Sequence, residues 1–250
     1  MTAVSCDKFL LSSEKKNKLV LFDSKTDKVL SEIVLQNQPR LICMIDSQQA
    51  ATTLNNKKIQ FIKVKDTTLI NDGVLDVDVD VRGIATYNND IVVSSYPPAG
   101  VKIISKDGAV IHKLDTTAAG GKVFKNPRWI ATTSDDFIFV TDWGTNKITR
   151  LDSRLSILQT FAWPMLDGPC GILSLNKDQL LVCNMAQDNI VVIEPNNNTM
   201  AVILEKQHGV DGPSSICFCN EQKKLYVAPG FDTPTILVYK LVWTSWWHQN

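Results

Sequence analysis

The run Arg128-Trp-Ile-Ala-Thr132, Ile138-Phe-Val-Thr-Asp142, Ile148-Thr-Arg-Leu-Asp152, Ile157-Leu-Gln-Thr-Phe161 decides the fold. It holds four short segments rich in β-branched and aromatic residues, separated by Asp, Asn, Gly and Ser. Such segments suit a pleated, half-buried strand, and the separators are turn formers. Working outward, the third segment recurs as Leu19–Asp23, Ile59–Lys63, Val101–Ser105, Ile190–Glu194 and Ile236–Lys240. Successive starts are 40, 42, 47, 42 and 46 residues apart.

The other segments recur in step. The second has counterparts at Phe9–Ser13, Ala50–Leu54, Ile91–Ser95, Leu180–Asn184 and Leu225–Pro229. The first has counterparts at Ala3–Cys6, Arg40–Met44, Arg82–Thr86, Cys170–Ser174 and Ser214–Phe218. A fourth run is legible at Val29–Ile33, Ala109–Lys113 and Met200–Leu204. Four strands in each of six units predict an all-β, six-bladed β-propeller. The blades are expected over 1–35, 36–75, 76–116, 117–162, 163–206 and 207–241, with the last blade incomplete and a tail over 242–250.

Composition agrees with a folded domain. Hydrophobic residues make up 44% of 250, and 26 basic residues balance 26 acidic ones. A neutral chain makes a poor general coat for nucleic acid. No run of eighteen apolar residues occurs, and the first residues do not read as a secretory signal. Six cysteines, at 6, 43, 170, 183, 217 and 219, form no Cys-x-x-Cys pair. They are expected as free thiols packed like small apolar side chains, in a cytoplasmic protein.

Three features mark one end of the ring. Arg40, Arg82 and Arg128 open the innermost strand of three consecutive blades, so they should stand side by side on the upper rim of the channel. Guanidinium groups there suit carboxylates or phosphates. The plainer alternative pairs them with Asp76, Asp78 and Asp80. Tyr96, Trp143 and Met185 follow the second strand of neighbouring blades and should form an apolar shelf; local packing is the alternative. Lys57, Lys58 and Lys147 add positive charge to the same face, while Asp167, Asp188, Asp211 and Asp232 oppose it. Asp142 is read as a structural tie between strand ends. His112, His208 and His248 are far apart in the repeat, and no metal-ligand spacing or phosphate loop is present.

Asn126-Pro-Arg-Trp-Ile-Ala131, followed by Ile138 to Asp142, Asn146-Lys-Ile148 and Asp152, resembles an NHL repeat. Gly168-Pro-Cys-Gly-Ile172 and Gly212-Pro-Ser-Ser-Ile216 repeat its opening, and the first two blades depart from it. The chain is similar to the C-terminal NHL propeller of tripartite-motif (TRIM) proteins, of the expanded invertebrate type. That resemblance implies the target-selecting part of a ubiquitin ligase system, without the zinc-binding RING that performs ligation. The expectation is a non-catalytic module that needs no cofactor or metal and binds a protein on its top face through Arg40, Arg82, Arg128, Tyr96, Trp143, Lys57, Lys58 and Lys147. RNA is the alternative partner; neither membrane nor DNA is expected. The competing class is a calcium-dependent lactonase or esterase on the same fold, which three rim arginines disfavour.

Overall fold

A computed structural model describes residues 1–230 and 235–241. Its six antiparallel sheets follow the chain in order. Blade one contains β1 (Thr2–Ala3), β2 (Lys8–Ser13), β3 (Lys18–Asp23) and β4 (Lys28–Val34). Blade two contains β5 (Pro39–Met44), β6 (Gln49–Leu54), β7 (Lys58–Lys65) and β8 (Thr68–Asp76). Blade three contains β9 (Val81–Tyr87), β10 (Asp90–Ser95), β11 (Gly100–Ile104) and β12 (Val110–Leu114). Blade four contains β13 (Pro127–Thr132), β14 (Ile138–Asp142), β15 (Lys147–Leu151) and β16 (Ile157–Phe161). Blade five contains β17 (Pro169–Asn176), β18 (Gln179–Asn184), β19 (Asn189–Glu194) and β20 (Thr199–Leu204). Blade six has three strands among the described residues: β21 (Pro213–Cys219), β22 (Lys224–Pro229) and β23 (Leu237–Lys240). The expected tail at 242–250 lies outside the described residues. Among the described residues, no helix is long and apolar enough to cross a membrane.

The first strand of each sheet is innermost, and successive inner strands touch around the ring. β1 meets both β5 and β21, which closes the circle. Strand alternation sends apolar side chains to both faces of each blade, so the core is divided into layers between blades. Ile130, Ile138 and Val140 of blade four, for example, pack with Ala85, Val92 and Val101 of blade three.

Among the described residues, the seam between blades six and one has the fewest buried members. Its buried members are Phe9, Cys217, Cys219 and Tyr226. Here the structure corrects the cysteine expectation. Cys6 and Cys219, 213 positions apart, form a disulfide with an S–S distance of 2.01 Å. The turn after β1 and the end of β21 meet only because the ring closes, so residues at opposite ends of the chain become neighbours. Cys6, expected within the first strand, lies in that turn. The inference from free thiols to a reducing compartment loses its premise for this pair. Cys43, Cys170, Cys183 and Cys217 are free, as expected. Burial pushes the thiols of Cys43, Cys170 and Cys217 up to about 12. The Tyr226 hydroxyl donates to the Cys6 carbonyl at 3.2 Å, and Gln222 Nε2 donates to Asp7 Oδ1 at 2.9 Å across the same seam.

The upper ends of the inner strands share one irregularity. Arg40 and Leu41 together oppose Thr53, since the register runs Pro39↔Leu54 and then Ile42↔Thr52. Arg82 and Gly83 oppose Ser94, Arg128 and Trp129 oppose Thr141, and Cys170 and Gly171 oppose Cys183. Two residues against one is a β-bulge, which turns side chains out of the regular alternation.

The residue facing the bulge ties it to the next blade. Ser94 Oγ accepts the Gly83 N–H of its own sheet at 2.8 Å and donates to the Arg128 carbonyl of blade four at 2.7 Å. Thr53 Oγ1 accepts the Leu41 N–H at 3.2 Å and donates to the Arg82 carbonyl at 2.8 Å. Ser12 Oγ donates to the Arg40 carbonyl at 2.9 Å. Each rim arginine is therefore held at its backbone by a hydroxyl from the preceding blade. Such closeness requires glycine at 83, where a Cβ would stand 1.9 Å from the Arg128 carbonyl oxygen and 2.7 Å from Ser94 Oγ.

Two stability predictions follow from this geometry. Gly83→Ala forces the blades apart and breaks the Ser94 bridge, and should cost about 2–4 kcal/mol in denaturant unfolding. Ser94→Ala should cost about 1–3 kcal/mol by stranding the Gly83 N–H and the Arg128 carbonyl. Separately, closing a loop of this length by a disulfide stabilises by about 2–5 kcal/mol. Reductant should therefore lower the melting temperature of the native chain. Cys6→Ser should melt at the lowered temperature and ignore reductant. A native melting curve indifferent to reductant would contradict the role of this link in closing the ring.

Candidate functional site at the channel mouth

The three rim arginines do come together. Burial first, and then the Arg40 guanidinium, pull the Arg82 guanidinium below its usual range; Asp80 opposes this and Arg128 adds to it. Arg40 and Arg82 share Asp80, and Arg128 opens the adjoining inner strand. Their surroundings nevertheless divide them into different roles.

Arg40 is committed to the fold. Its Nη1 donates to Asp80 Oδ1 at 2.6 Å and to the Val81 carbonyl at 2.7 Å, and Nη2 reaches Asp80 Oδ2 at 3.4 Å. The alternative of closure by an aspartate therefore holds for Arg40, through Asp80. The other two aspartates go elsewhere: Asp78 to Lys102 at 2.6 Å, and Asp76 to Lys58 at 3.0 Å. The hydrogen bond from Lys102 is the main reason that the Asp78 carboxyl titrates below its usual range.

Arg82 is half committed. Its Nε donates to the Tyr96 carbonyl at 3.2 Å, and Nη2 reaches the already engaged Asp80 Oδ2 at 3.5 Å. The Tyr96 N–H in turn donates to the Asp80 carbonyl at 3.0 Å, so this turn is fixed to the rim. The Tyr96 side chain is 39% exposed, the open part of the expected shelf.

Arg128 has no carboxylate partner among the described residues. Its guanidinium carbon lies 5.1 Å from the Trp143 ring centroid and 5.8 Å from that of Trp129, within cation–π range of both. The Nε of Arg128 and the Nε1 of Trp129 are both buried with no hydrogen-bond partner among the described residues. An unpaired buried donor costs about 1–3 kcal/mol. Two such donors on successive residues of one bulge are therefore notable.

The loop into Arg128 is tied down by one carboxylate. Asp142, 1% exposed, accepts the N–H groups of Lys125, Asn126 and Gly144 at 2.8, 2.7 and 3.0 Å. The structural role expected of Asp142 is the one seen. Asn184 plays the same part in blade five, accepting the Asp167 N–H at 2.7 Å. Trp143 is half-buried, and Met185 packs with it against the core between blades five and six. For both residues the packing alternative accounts for much of the side chain, while Trp143 also serves Arg128.

The lysines do not gather around the arginines in one cluster. Lys57 is exposed in the turn between β6 and β7, Lys58 pairs with Asp76, and Lys147 is exposed at the start of β15. The acidic sector is partly engaged within itself. Asp167 accepts from Asn146 at 2.7 Å, and Asp188 accepts the Gly212 N–H and meets Lys206 at 3.5 Å. Asp232 is outside the described residues. The bridging hydroxyls of Ser12, Thr53 and Ser94 hold the same slot of three successive second strands, and Thr141 holds it in blade four, where it bonds Trp129 of its own sheet.

Below the rim, the six inner strands enclose a cavity of about 450 Å³. Trp129, Thr86, Thr132 and Ser215 contribute to its wall, and among the described residues no acidic or basic side chain does. Among the described residues, no three His, Cys, Asp or Glu side chains gather to hold a metal ion.

No protein-family model matches the chain, and no curated protein matches it. Solved structures do match over nearly its whole length. A protein of unknown function from Bacteroides caccae superposes with a TM-score of 0.70 at 13% identity, over 94% of this chain and 90% of that one. Virginiamycin B lyase from Staphylococcus aureus gives 0.67 at 19%, over 96% and 83%. The β-propeller domain of Myceliophteria thermophila Cps50 (Swd1) gives 0.67 at 11%, over 94% and 80%. At these identities the likeness is one of fold: the chain is a β-propeller of six blades.

Proposed function

We propose that the chain is a recognition module that holds an acidic protein segment on the top face, over blades three and four. The observation that carries this reading is Arg128: half-buried, set beside two indoles, and without a carboxylate of its own among the described residues. Arginine and tryptophan are the residue types that most often dominate binding energy at interfaces. Arg82 and the exposed Tyr96 extend the surface, while Arg40 braces it from behind.

A protein suits this face better than RNA. Nucleic acid follows a continuous positive track, whereas here Asp80, Asp167 and Asp188 interrupt the charge. The NHL-like residues Pro127, Ile130, Asp142 and Ile148 support an affiliation with tripartite-motif propellers. On that reading the chain selects a target and a RING carried elsewhere modifies it. The lyase named among the similar folds is not a guide to activity, since fold alone does not transfer chemistry. A calcium-dependent hydrolase would need convergent oxygen ligands, whereas three of the bulges at the mouth carry Arg40, Arg82 and Arg128, and the fourth buries Cys170.

The test is a capture experiment from extract of the source organism, with and without nuclease. The native chain should retain a protein in both cases. Arg82→Ala/Arg128→Ala should weaken that retention at least about tenfold without loss of fold. Equal retention by the double variant would refute the assignment, and loss on nuclease treatment would turn it to RNA.

A further inference from the structure

We infer that the Cys6–Cys219 disulfide is a redox-operated clasp. Intact, it shuts the ring; its reduction by a low-molecular-weight thiol frees the seam between blades six and one while blades two to five keep their fold. The clasp is independent of the recognition face proposed above.

Connectivity singles this seam out. At five of the six blade junctions the chain itself runs from the outer strand of one blade to the inner strand of the next. Blades six and one have no such run between them, and among the described residues no sheet combines strands from both ends of the chain. The disulfide supplies there the covalent link that the backbone supplies elsewhere.

The non-covalent ties at the seam are light. Ser12, Thr53 and Ser94 each bridge to the next inner strand, but blade six fills their slot with Ala228, which has no hydroxyl. The strand that blade one sets against β21 is β1, two residues long and paired with β2 at Thr2↔Leu10 and Ala3↔Phe9. The Phe9 and Tyr226 rings meet at 4.3 Å between centroids. Tyr226 and Gln222 donate to Cys6 and Asp7, and the Met1 nitrogen donates to Ser215 Oγ at 3.3 Å.

The bond is open to attack from one side. Cys219 is 3% exposed, whereas Cys6 is half-buried in the turn after β1, its sulfur 3.7 Å from a carboxylate oxygen of the exposed Glu221. An incoming thiolate attacks Cys6 Sγ, forms a mixed disulfide with it and expels Cys219 as a thiolate, which takes up a proton. A second thiol of the reductant then attacks the reductant sulfur of that mixed disulfide and releases Cys6 as a thiol. The reductant leaves as its own disulfide, having passed two electrons to the two cysteines. Local opening then has only the light contacts above to break. In a reducing compartment such a pair is transient and acts as a sensor; in an oxidising one it stays shut.

The test is hydrogen exchange on the full native chain, oxidised and after dithiothreitol, read peptide by peptide by mass spectrometry without denaturant. Reduction should let iodoacetamide label Cys6 and Cys219, while the buried Cys170, Cys183 and Cys217 stay unlabelled. Amide exchange should rise at least about tenfold in segments 1–13 and 213–229 and stay unchanged in blades two to five. Cys6→Ser/Cys219→Ser should show the raised exchange from the start and ignore dithiothreitol. Exchange that rises together in all six blades would make the bond a staple of the whole fold and overturn the clasp. Unchanged exchange in the two segments after Cys6 and Cys219 are labelled would overturn it too, as would failure of dithiothreitol to free these thiols without denaturant.

Discussion

The bond from Ser94 Oγ to the Arg128 carbonyl, 2.7 Å long, is the contact on which the channel mouth depends. It joins two sheets that otherwise meet through side-chain packing and through the Tyr87 hydroxyl, which donates to the Asp136 carbonyl at 3.2 Å. It works because the same hydroxyl also accepts the Gly83 N–H, so that neither that donor nor the Arg128 carbonyl is left unpaired. It also demands that residue 83 have no side chain. Repeated through Ser12 and Thr53, the arrangement sets the backbone of three arginines at one level around the channel. Like charges would otherwise push those residues apart. The backbone anchors hold them in place and leave only the side chains to adjust.

The adjustment is uneven, and that unevenness creates a site. Asp80 precedes the inner strand of blade three, close enough to serve Arg40 fully and Arg82 in part. Blade four has no equivalent carboxylate: Asn126 and Pro127 precede Arg128, and the nearby Asp142 is consumed by three backbone N–H groups. Arg128 turns to the indoles instead. A cation–π contact leaves the edge of the guanidinium, where its donors lie, able to bind an anion. Moving across the rim from Arg40 to Arg128, a structural ion pair gives way to an unanswered charge.

Much of this was legible in the sequence, for identifiable reasons. Six repeats of a Val- and Ile-rich run expose the blade period, and in-register arginines expose the rim. β8 is not legible as a strand, because Asn71, Asp72 and Gly73 interrupt its apolar alternation and its register shifts opposite Gln60 to Ile62. The disulfide escaped because local spacing carries no information about two cysteines brought together by ring closure. The division of labour among the arginines was out of reach for a related reason. Asp76, Asp78 and Asp80 look equivalent in sequence, but one ends β8 and the other two lie in its connection to β9, and they meet Lys58, Lys102 and Arg40 respectively. The hydroxyl bridges were visible in principle, as a Ser or Thr slot in the second strand. Their purpose emerges only when the neighbouring carbonyl is in place.

The claim that one rim arginine supports the fold while another is held in reserve can be measured most directly by thermal unfolding of two variants side by side. Methionine keeps much of the apolar stem and removes the charge. Arg40→Met leaves Asp80 with only its long contact to Arg82 and takes a donor from the Val81 carbonyl, so it should lose about 1–3 kcal/mol and melt several degrees lower. Arg128→Met removes an uncompensated charge and an unpaired buried donor, so it should melt at or above the native temperature. Equal losses for the two variants would contradict the account, and so would a larger loss for Arg128→Met.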